Sequence, residues 1–146
     1  MIEKNELALV PLKEEIRFVD DYFYLIRHRF DKGIVFENSL DESIIKNSYI
    51  PPASLQLLIE NAVKHNMFTE EDPLRINLYN DEKHIIVKNN INLRDDILDS
   101  TNQGIQNLTQ RFSYFSEDIV NIEINETDFT ISLPILTKTD YERFNI

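Results

Sequence analysis

Four polar side chains with complementary chemistry fall within one apolar helical pattern. They are Glu60, Asn61, Lys64 and His65. Side chains three and four residues apart are neighbours on a helix, so Asn61, Lys64 and His65 are predicted to share a polar face, with Glu60 paired to Lys64. An amide oxygen can hold a hard cation and a lysine can hold phosphate, which indicates a nucleotide site. The alternative is a solvated helix face with one ion pair worth about 0.2–0.5 kcal/mol.

Composition limits what such a site can serve. The chain has 146 residues, of which 42% are apolar and 28% charged, and this favours one folded domain with a proper core. The net charge of −11 comes without a basic stripe, so nucleic acid and anionic lipid are unfavourable partners. An anionic ligand must therefore be held locally by dipoles, a few cations or a metal.

Residue counts exclude several kinds of chemistry. The absence of cysteine excludes disulfides and thiolate catalysis, and it favours a reducing compartment. Two glycines are too few for a glycine-rich phosphate loop of the P-loop or dinucleotide-fold kind. No apolar run approaches the ~20 residues of a membrane span, and the N-terminus lacks a signal-peptide core.

The elements that position the polar helix follow from hydrophobic periodicity. Apolar residues at 12, 16, 19, 23, 26 and 30, widened by Phe18, Tyr22 and Leu25, predict a first helix over 12–30. This helix could pack on its own domain, form a dimer, or do both. Pro11 suits its first turn and Gly33 its end.

The remaining pattern predicts an alternation of strands and helices. Residues 34–40 indicate a strand and 41–48 a turn or short connection, and Pro51-Pro52 open the second helix. Two hairpins are predicted at 74–90 and 120–135, a loop at 91–101, and a third helix capped by Ser100 or Thr101. This order predicts a two-layer α/β (α+β) sandwich, in which helices cover one face of a mixed, mostly antiparallel sheet. The tail from Thr137 is predicted to fray.

The second helix carries a recognisable family motif. The segment P-P-A-S-L-Q-L-L-I-E-N-A-V-K-H-N at 51–66 resembles the asparagine box of LytS-like sensor histidine kinases. The first helix resembles that group's leading helix. Its two glycine boxes are resembled by I-I-V-K-N-N at 85–90 and by S-T-N-Q-G-I-Q-N-L-T-Q-R-F at 100–112. Its last strand is resembled by F-T-I-S-L-P-I at 129–135. The resemblance runs from about residue 9 to 136 with order and spacing kept.

The resemblance implies the histidine-kinase ATPase (Bergerat) fold shared with DNA gyrase, heat-shock chaperones and mismatch-repair ATPases. Its cofactors would be ATP and Mg²⁺, with Asn61 as metal ligand and, with Glu60, as catalytic residue. The other implied cofactor-binding residues are Lys64, His65, Asn89, Gly104, Asn107 and Arg111. Asn89 would meet the adenine amino group, and the N–H groups at the start of the third helix would meet phosphate.

Leu57 separates two branches of this fold. Hydrolysing relatives carry a water-activating glutamate one turn before the box asparagine, where this chain has Leu57. Transfer of a phosphoryl group to histidine needs positioning and charge neutralisation rather than an activated water. Leu57 therefore favours a kinase over an ATPase.

Departures from the family pattern leave an alternative open. Asn89 and Asn90 stand where many members have an aspartate and nearby glycines, and Asn102 replaces the first glycine of the second box. The alternative is a degenerate kinase-like interaction module with little or no productive ATP use. An anti-sigma-factor-like kinase on the same fold is disfavoured by the LytS-type first helix.

The resemblance also implies an organisation around this chain. Residues 1–32 would lead from a dimerisation and phosphoacceptor region, 33–137 would form the catalytic domain, and 138–146 a polar tail. The phosphoacceptor histidine would lie upstream, because His28 and His84 lack its context and His65 belongs to the box. The chain would be a cytoplasmic catalytic fragment of a homodimeric inner-membrane sensor, signalling to a response regulator through that histidine.

Overall fold

The computed structural model describes residues 8–92 and 101–144 of the chain. In chain order the elements are β1 (Val10–Pro11), α1 (Leu12–Phe30), a 3₁₀ turn (Asp31–Gly33), β2 (Ile34–Asn38), α2 (Glu42–Asn47), β3 (Tyr49–Ile50), α3 (Ser54–His65), β4 (Leu74–Asn80), β5 (His84–Asn90), α4 (Thr101–Ser113), β6 (Asn121–Ile124), β7 (Asp128–Pro134) and α5 (Lys138–Phe144). The predicted helices at 12–30 and after Pro52, and both hairpins, are confirmed.

The main sheet of the described residues has five strands in the order β2-β4-β5-β7-β6. β2 pairs with β4 in parallel, whereas the β4–β5, β5–β7 and β6–β7 pairs are antiparallel. The short strands β1 and β3 pair separately, beside the start of α1. The predicted sandwich with a mixed, mostly antiparallel sheet and an N-terminal helix is confirmed.

Helix α1 is packed into the core of the same unit. Its buried positions include Leu12, Ile16, Val19, Phe23 and Ile26, which belong to one hydrophobic cluster with sheet residues. Phe23 also stacks on Phe36 of β2, with ring centroids 4.1 Å apart. The interpretation of α1 as a helix packed on its own domain is therefore confirmed.

The predicted widening of that stripe is wrong at two positions. Phe18 and Leu25 are 65% and 67% exposed, while Tyr22 is partly buried. Both exposed side chains lie outside the buried stripe of α1, whose i, i+3 and i+4 positions make the core contacts. Dimer formation through α1 stays a prediction.

Glycine does not end α1 in the predicted way. The helix ends at Phe30, and Asp31 takes the left-handed conformation with φ 47°, whereas neither glycine has positive φ. Gly33 serves close packing instead, because a Cβ there would lie 3.2 Å from Cδ2 of Phe68. Gly33 therefore fits here because the ring of Phe68 leaves little room for a side chain, and not because the turn needs a left-handed residue.

Two segments predicted as irregular contain helices. Residues 42–47 of the predicted connection form α2, and the tail predicted to fray contains α5. Tyr141 of α5 stacks on Tyr49 at 4.3 Å, and Phe144 meets Phe115 edge-on at 5.0 Å. Aromatic contacts distant in sequence hold this polar helix, so local composition could not predict it.

Other expectations fall partly outside the described residues. Residues 93–100 of the predicted 91–101 loop, including Ser100 as a cap, are not among them. α4 begins at Thr101, as predicted to within one residue. Across the described chain, no helix combines the length and apolarity needed to cross a bilayer.

Candidate functional site

Helix α3 places its apolar face on the sheet and leaves a polar flank toward α4. Leu55, Leu58, Ile59 and Ala62 are buried on the apolar face of the helix. Asn61 is partly buried beside them, and Glu60 and Lys64 are exposed. The helix thus presents its amide side chain at the boundary between core and solvent, where a ligand and the protein can both reach it.

The asparagine box and the second glycine box face each other across α3 and α4. A Cβ added to Gly104 would lie 3.8 Å from Nδ2 of Asn61 and 3.4 Å from Cδ1 of Leu57. Both distances are ordinary van der Waals contacts, so the space beside Gly104 is narrow but not closed. Two motifs 43 positions apart in sequence (104 − 61) therefore meet at one place.

A cleft of about 200 Å³ opens between these two helices, called the α3–α4 cleft below. It is lined by Ala53, Gln56, Leu57, Glu60, Gly104, Asn107, Leu108 and Arg111. Four of the predicted site residues are in this lining, and Asn61 adjoins it through Gly104. The structure therefore brings together Glu60, Asn61, Gly104, Asn107 and Arg111.

The predicted Glu60–Lys64 ion pair is wrong. Oε1 of Glu60 accepts a hydrogen bond from Nε2 of Gln56 at 2.9 Å, one turn earlier on α3. Lys64 instead lines a groove of about 460 Å³ between α1 and α3, with Tyr22, Leu25, Ile26, Arg29, Phe30, Val63 and Phe68. Lys64 therefore lines a different groove from Asn107 and Arg111, which line the α3–α4 cleft.

The spacing on the helix predicts one polar face for Lys64 and His65, but His65 does not lie on an exposed face with Lys64. It is 4% exposed and is the last residue of α3. At 100° per residue His65 lies close to the buried positions Leu58 and Ala62, so a helical projection already contained this signal. Its role in cofactor binding stays a prediction.

Asn89 lies on the helix-facing side of the sheet. It is 6% exposed, and it lies on the same face of β5 as the buried Val87 and Ile85, two and four residues earlier. Its Nδ2 donates to the carbonyl of Asn90 at 2.9 Å. One N–H of this amide is so engaged, and the amide oxygen is the group that could accept a hydrogen bond from a ligand.

Arg111 has a structural partner as well as a place in the cleft. Its Nη1 donates to the carbonyl oxygen of Pro52 at 2.8 Å, and the residue is partly buried. Asn107 is exposed one turn earlier on α4. Arg111 thus ties α4 to the turn before α3 while it also lines the α3–α4 cleft.

Sequence reasoning missed Glu15, which caps α3 from another helix. Its carboxylate accepts from the backbone N–H groups of Ala53, Leu55 and Gln56 at 3.2, 3.0 and 3.4 Å. The side chain is 3% exposed. Burial raises the pKa of Glu15, and the backbone hydrogen bonds and the charge of Arg111 act in the opposite direction. A glutamate at a buried position of the α1 stripe was the available signal.

The remaining histidines are at the surface. His28 is exposed near the end of α1 and meets the ring of Tyr24 at 5.0 Å. His84 begins β5, is partly exposed, and contacts the carboxylate of Asp81 at 3.2 Å. Among the described side chains, no group of three His, Asp or Glu could hold a metal ion. A cation here would need ligand oxygens from a nucleotide beside Asn61.

Sequence comparison relates the chain to sensor proteins. No family model matches it. The sensor protein LytS of Bacillus cereus is 30% identical over 86 residues, which is 56% of this chain and 14% of LytS. A sensor-like histidine kinase of Staphylococcus epidermidis is 29% identical over 117 residues, 70% of this chain and 23% of that protein. The chain thus matches about one seventh of the length of LytS.

Structural comparison defines the fold class. The catalytic domain of histidine kinase ThkA superposes with a TM-score of 0.54 at 14% identity, covering 90% of this chain and 98% of that domain. The fold is therefore that of histidine kinase catalytic domains. Together with the sequence similarity to LytS, this supports the predicted resemblance to the ATPase domain of LytS-like histidine kinases.

Proposed function

We propose that the chain is the ATP-binding catalytic domain of a sensor histidine kinase in a two-component system. The observation that carries this proposal is the approach of Asn61 to Gly104, 3.8 Å from Nδ2 to the position a Cβ would occupy. It joins a metal-binding amide to the first turn of a helix whose free N–H groups favour phosphate. The fold and the similarity to LytS support the same conclusion.

The residues present fit Mg·ATP. Asn61 offers an oxygen ligand for Mg²⁺, and the first turn of α4, which contains Gly104, offers backbone donors for phosphate oxygens. Asn89 would accept from the adenine amino group, with its own nitrogen held by Asn90. The α3–α4 cleft, at about 200 Å³, is below the ~300–1,000 Å³ of typical ligand sites, so binding requires some separation of α3 and α4.

The chemistry at the cleft favours transfer over hydrolysis. Leu57 contacts the Gly104 position with apolar carbons and has no group that could deprotonate water. Glu60 is the carboxylate in the cleft lining, and it can accept a proton from, or orient, an incoming imidazole. Arg111 adds positive charge at the same wall, where it can offset charge on the transferring group.

The proposal extends to partners that the chain does not include. The phosphoacceptor would be a histidine in an upstream region of the same sensor, which would act as a homodimer and pass the phosphoryl group to a response regulator. The domain would then work in the cytoplasm below a membrane-bound sensor region. The interaction-module alternative stays relevant because Asn89 replaces the family's aspartate.

Phosphoryl transfer separates these alternatives. The chain is incubated with γ-labelled Mg·ATP, alone and with an added phosphoacceptor domain of a LytS-type sensor. We expect no label on the chain alone and acid-labile label on the acceptor, lost with Asn61→Ala but kept with Asn77→Ala, an exposed asparagine of β4.

Two results would overturn the proposal. ATP binding without any transfer to the acceptor would indicate an interaction module. Stable label on His28 of this chain would instead contradict its assignment as a catalytic fragment that acts on an upstream histidine.

A further inference from the structure

Three helices meet at the turn that precedes α3. Ala53, the residue before α3, has φ 65° and ψ 14°, and no side chain within α3 caps the first turn. The first N–H groups of a helix lack intrahelical partners, so an outside acceptor is needed. An alanine cannot supply one, and the helix therefore depends on a group from elsewhere in the chain.

Glu15 of α1 supplies that acceptor. Oε2 accepts from N–H of Ala53, and Oε1 accepts from N–H of Leu55 and Gln56. The partners are 38 to 41 positions away in sequence. A nearly solvent-inaccessible carboxylate of α1 is thus hydrogen-bonded to three backbone N–H groups at the start of α3, which connects the two helices.

α4 joins the same turn from the other side. Arg111 donates to the carbonyl of Pro52, the residue directly before Ala53. Ala53 and Arg111 also line the α3–α4 cleft, so this junction forms one end of the cleft. Two turns further along α3, Asn61 meets the Gly104 position. A change in the junction therefore moves a wall of the proposed nucleotide site.

We propose that Glu15 is a positioning residue that holds α1, α3 and α4 in register, so that a displacement of α1 reaches Asn61 and Gly104. This inference rests on the proposed function. The hydrogen bonds are 3.0–3.4 Å long, and a relative shift of about 1 Å takes them beyond bonding distance. α1 then loses its polar connection to α3, while its apolar stripe can still slide on the core.

The test compares Glu15→Gln with Glu14→Gln. Glu14 is exposed in the same turn of α1, so both variants lose one negative charge from one helix. Glutamine keeps the size of the side chain but presents one oxygen, which leaves a backbone N–H without its acceptor. Glu15→Asp, which keeps the charge on a shorter side chain, is the second variant if Glu15→Gln fails to fold.

Two-dimensional ¹H–¹⁵N NMR provides a readout independent of ATP. We expect Glu15→Gln to speed exchange of the Ala53 and Leu55 amides on the order of tenfold and to shift the resonances of the Asn61 side-chain amide and the Gly104 backbone. Glu14→Gln should change neither. If exchange at 53–56 rises while Asn61 and Gly104 stay unchanged, Glu15 is a local cap and the proposal is overturned.

Titration with Mg·ATP tests the connection to function. We expect Glu15→Gln to weaken affinity on the order of tenfold relative to both the parent and Glu14→Gln. Equal affinity in all three would overturn the positioning role. If the parent itself binds no ATP, the proposed function fails, and the NMR comparison still decides whether Glu15 positions Asn61 and Gly104.

Discussion

The two ends of α3 are held by different means. At the N-terminal end, Glu15 and Arg111 reach in from α1 and α4, across 38 to 59 positions of sequence. At the C-terminal end, Asn66 directly follows the helix: its Nδ2 donates to the carbonyl of Ala62 at 2.9 Å, and its Oδ1 accepts from N–H of Asn92 at 2.7 Å.

This difference assigns distinct roles to the two ends. The C-terminal end connects α3 to the segment after β5, on the side of Asn89, through a residue adjacent to the helix itself. The N-terminal end connects α3 to two other helices through charged side chains. Movement of α1 or α4 should therefore act through the first turn of α3, while the last turn stays fixed to the sheet.

Removing the long-range cap should have the largest effect. Glu15→Ala leaves three N–H groups without their acceptor at a buried position, and we expect a loss of about 2–4 kcal/mol in the free energy of unfolding. Urea denaturation followed by circular dichroism measures it. Glu14→Ala, on the exposed side of the same turn, should stay within about 0.5 kcal/mol of the parent. Equal effects of the two would contradict the capping role.

Removing the local cap should cost less. Asn66 is 3% exposed, and Asn66→Ala loses one bond to Ala62 and one to Asn92. We expect a loss of about 1–2 kcal/mol, because both bonds are neutral. Hydrogen exchange should rise at Asn92 and not at Leu55. Faster exchange at both ends would mean that the ends of α3 are not independent.

The pH dependence of stability should distinguish the effect of the Glu15 charge from that of its size, because Glu15→Gln keeps the size of the side chain but cannot titrate. The folded protein holds the Glu15 proton more tightly than the unfolded chain, because burial raises the pKa above 4.5. The parent should therefore gain stability relative to Glu15→Gln as pH falls through the raised pKa toward 4.5, and the difference should be constant below 4.5. If the stability of the parent relative to Glu15→Gln instead falls as pH falls over this range, the folded protein holds the Glu15 proton less tightly than the unfolded chain, which would contradict the burial of the carboxyl.

The smallest effect is expected at the C-terminal side, at Asn89. Its oxygen could accept from the adenine amino group while one Nδ2–H donates to Asn90, so we expect a preference for adenine over guanine of about 1 kcal/mol or less. Asn89→Asp should tighten ATP and weaken GTP, since a carboxylate only accepts hydrogen bonds. Calorimetric titration of both nucleotides measures this, with Asn77→Asp as control. An unchanged ATP-to-GTP affinity ratio would exclude Asn89 as the adenine contact.

Hydrophobic periodicity and motif order predicted much of this molecule. The spacing of apolar residues located α1 over 12–30, because each helical step repeats a buried contact. The two boxes identified Asn61 and Gly104, which do approach each other. Helical geometry also predicts the orientation of His65 toward the core, because His65 projects close to the buried Leu58 and Ala62.

Contacts between distant residues could not be predicted in this way. The position of Glu15 in the α1 stripe marks it as unusual, but its acceptor role depends on backbone donors about 40 positions away and appears only once α3 is placed against α1. α5 likewise depends on Tyr49 and Phe115. Whether Glu60 pairs with Gln56 or with Lys64 also depends on the tertiary structure, because Lys64 lines the groove between α1 and α3.

The most direct test of the account is calorimetric titration of the parent chain, Asn61→Ala and Asn77→Ala with ATP, with and without Mg²⁺. The account predicts that the parent and Asn77→Ala bind ATP more tightly when Mg²⁺ is present. It also predicts that Asn61→Ala loses this Mg²⁺ dependence, with a fall in affinity on the order of tenfold or more, and keeps its fold. Equal Mg²⁺-dependent affinity in Asn61→Ala and the parent would contradict the assignment of Asn61 and of the site between α3 and α4.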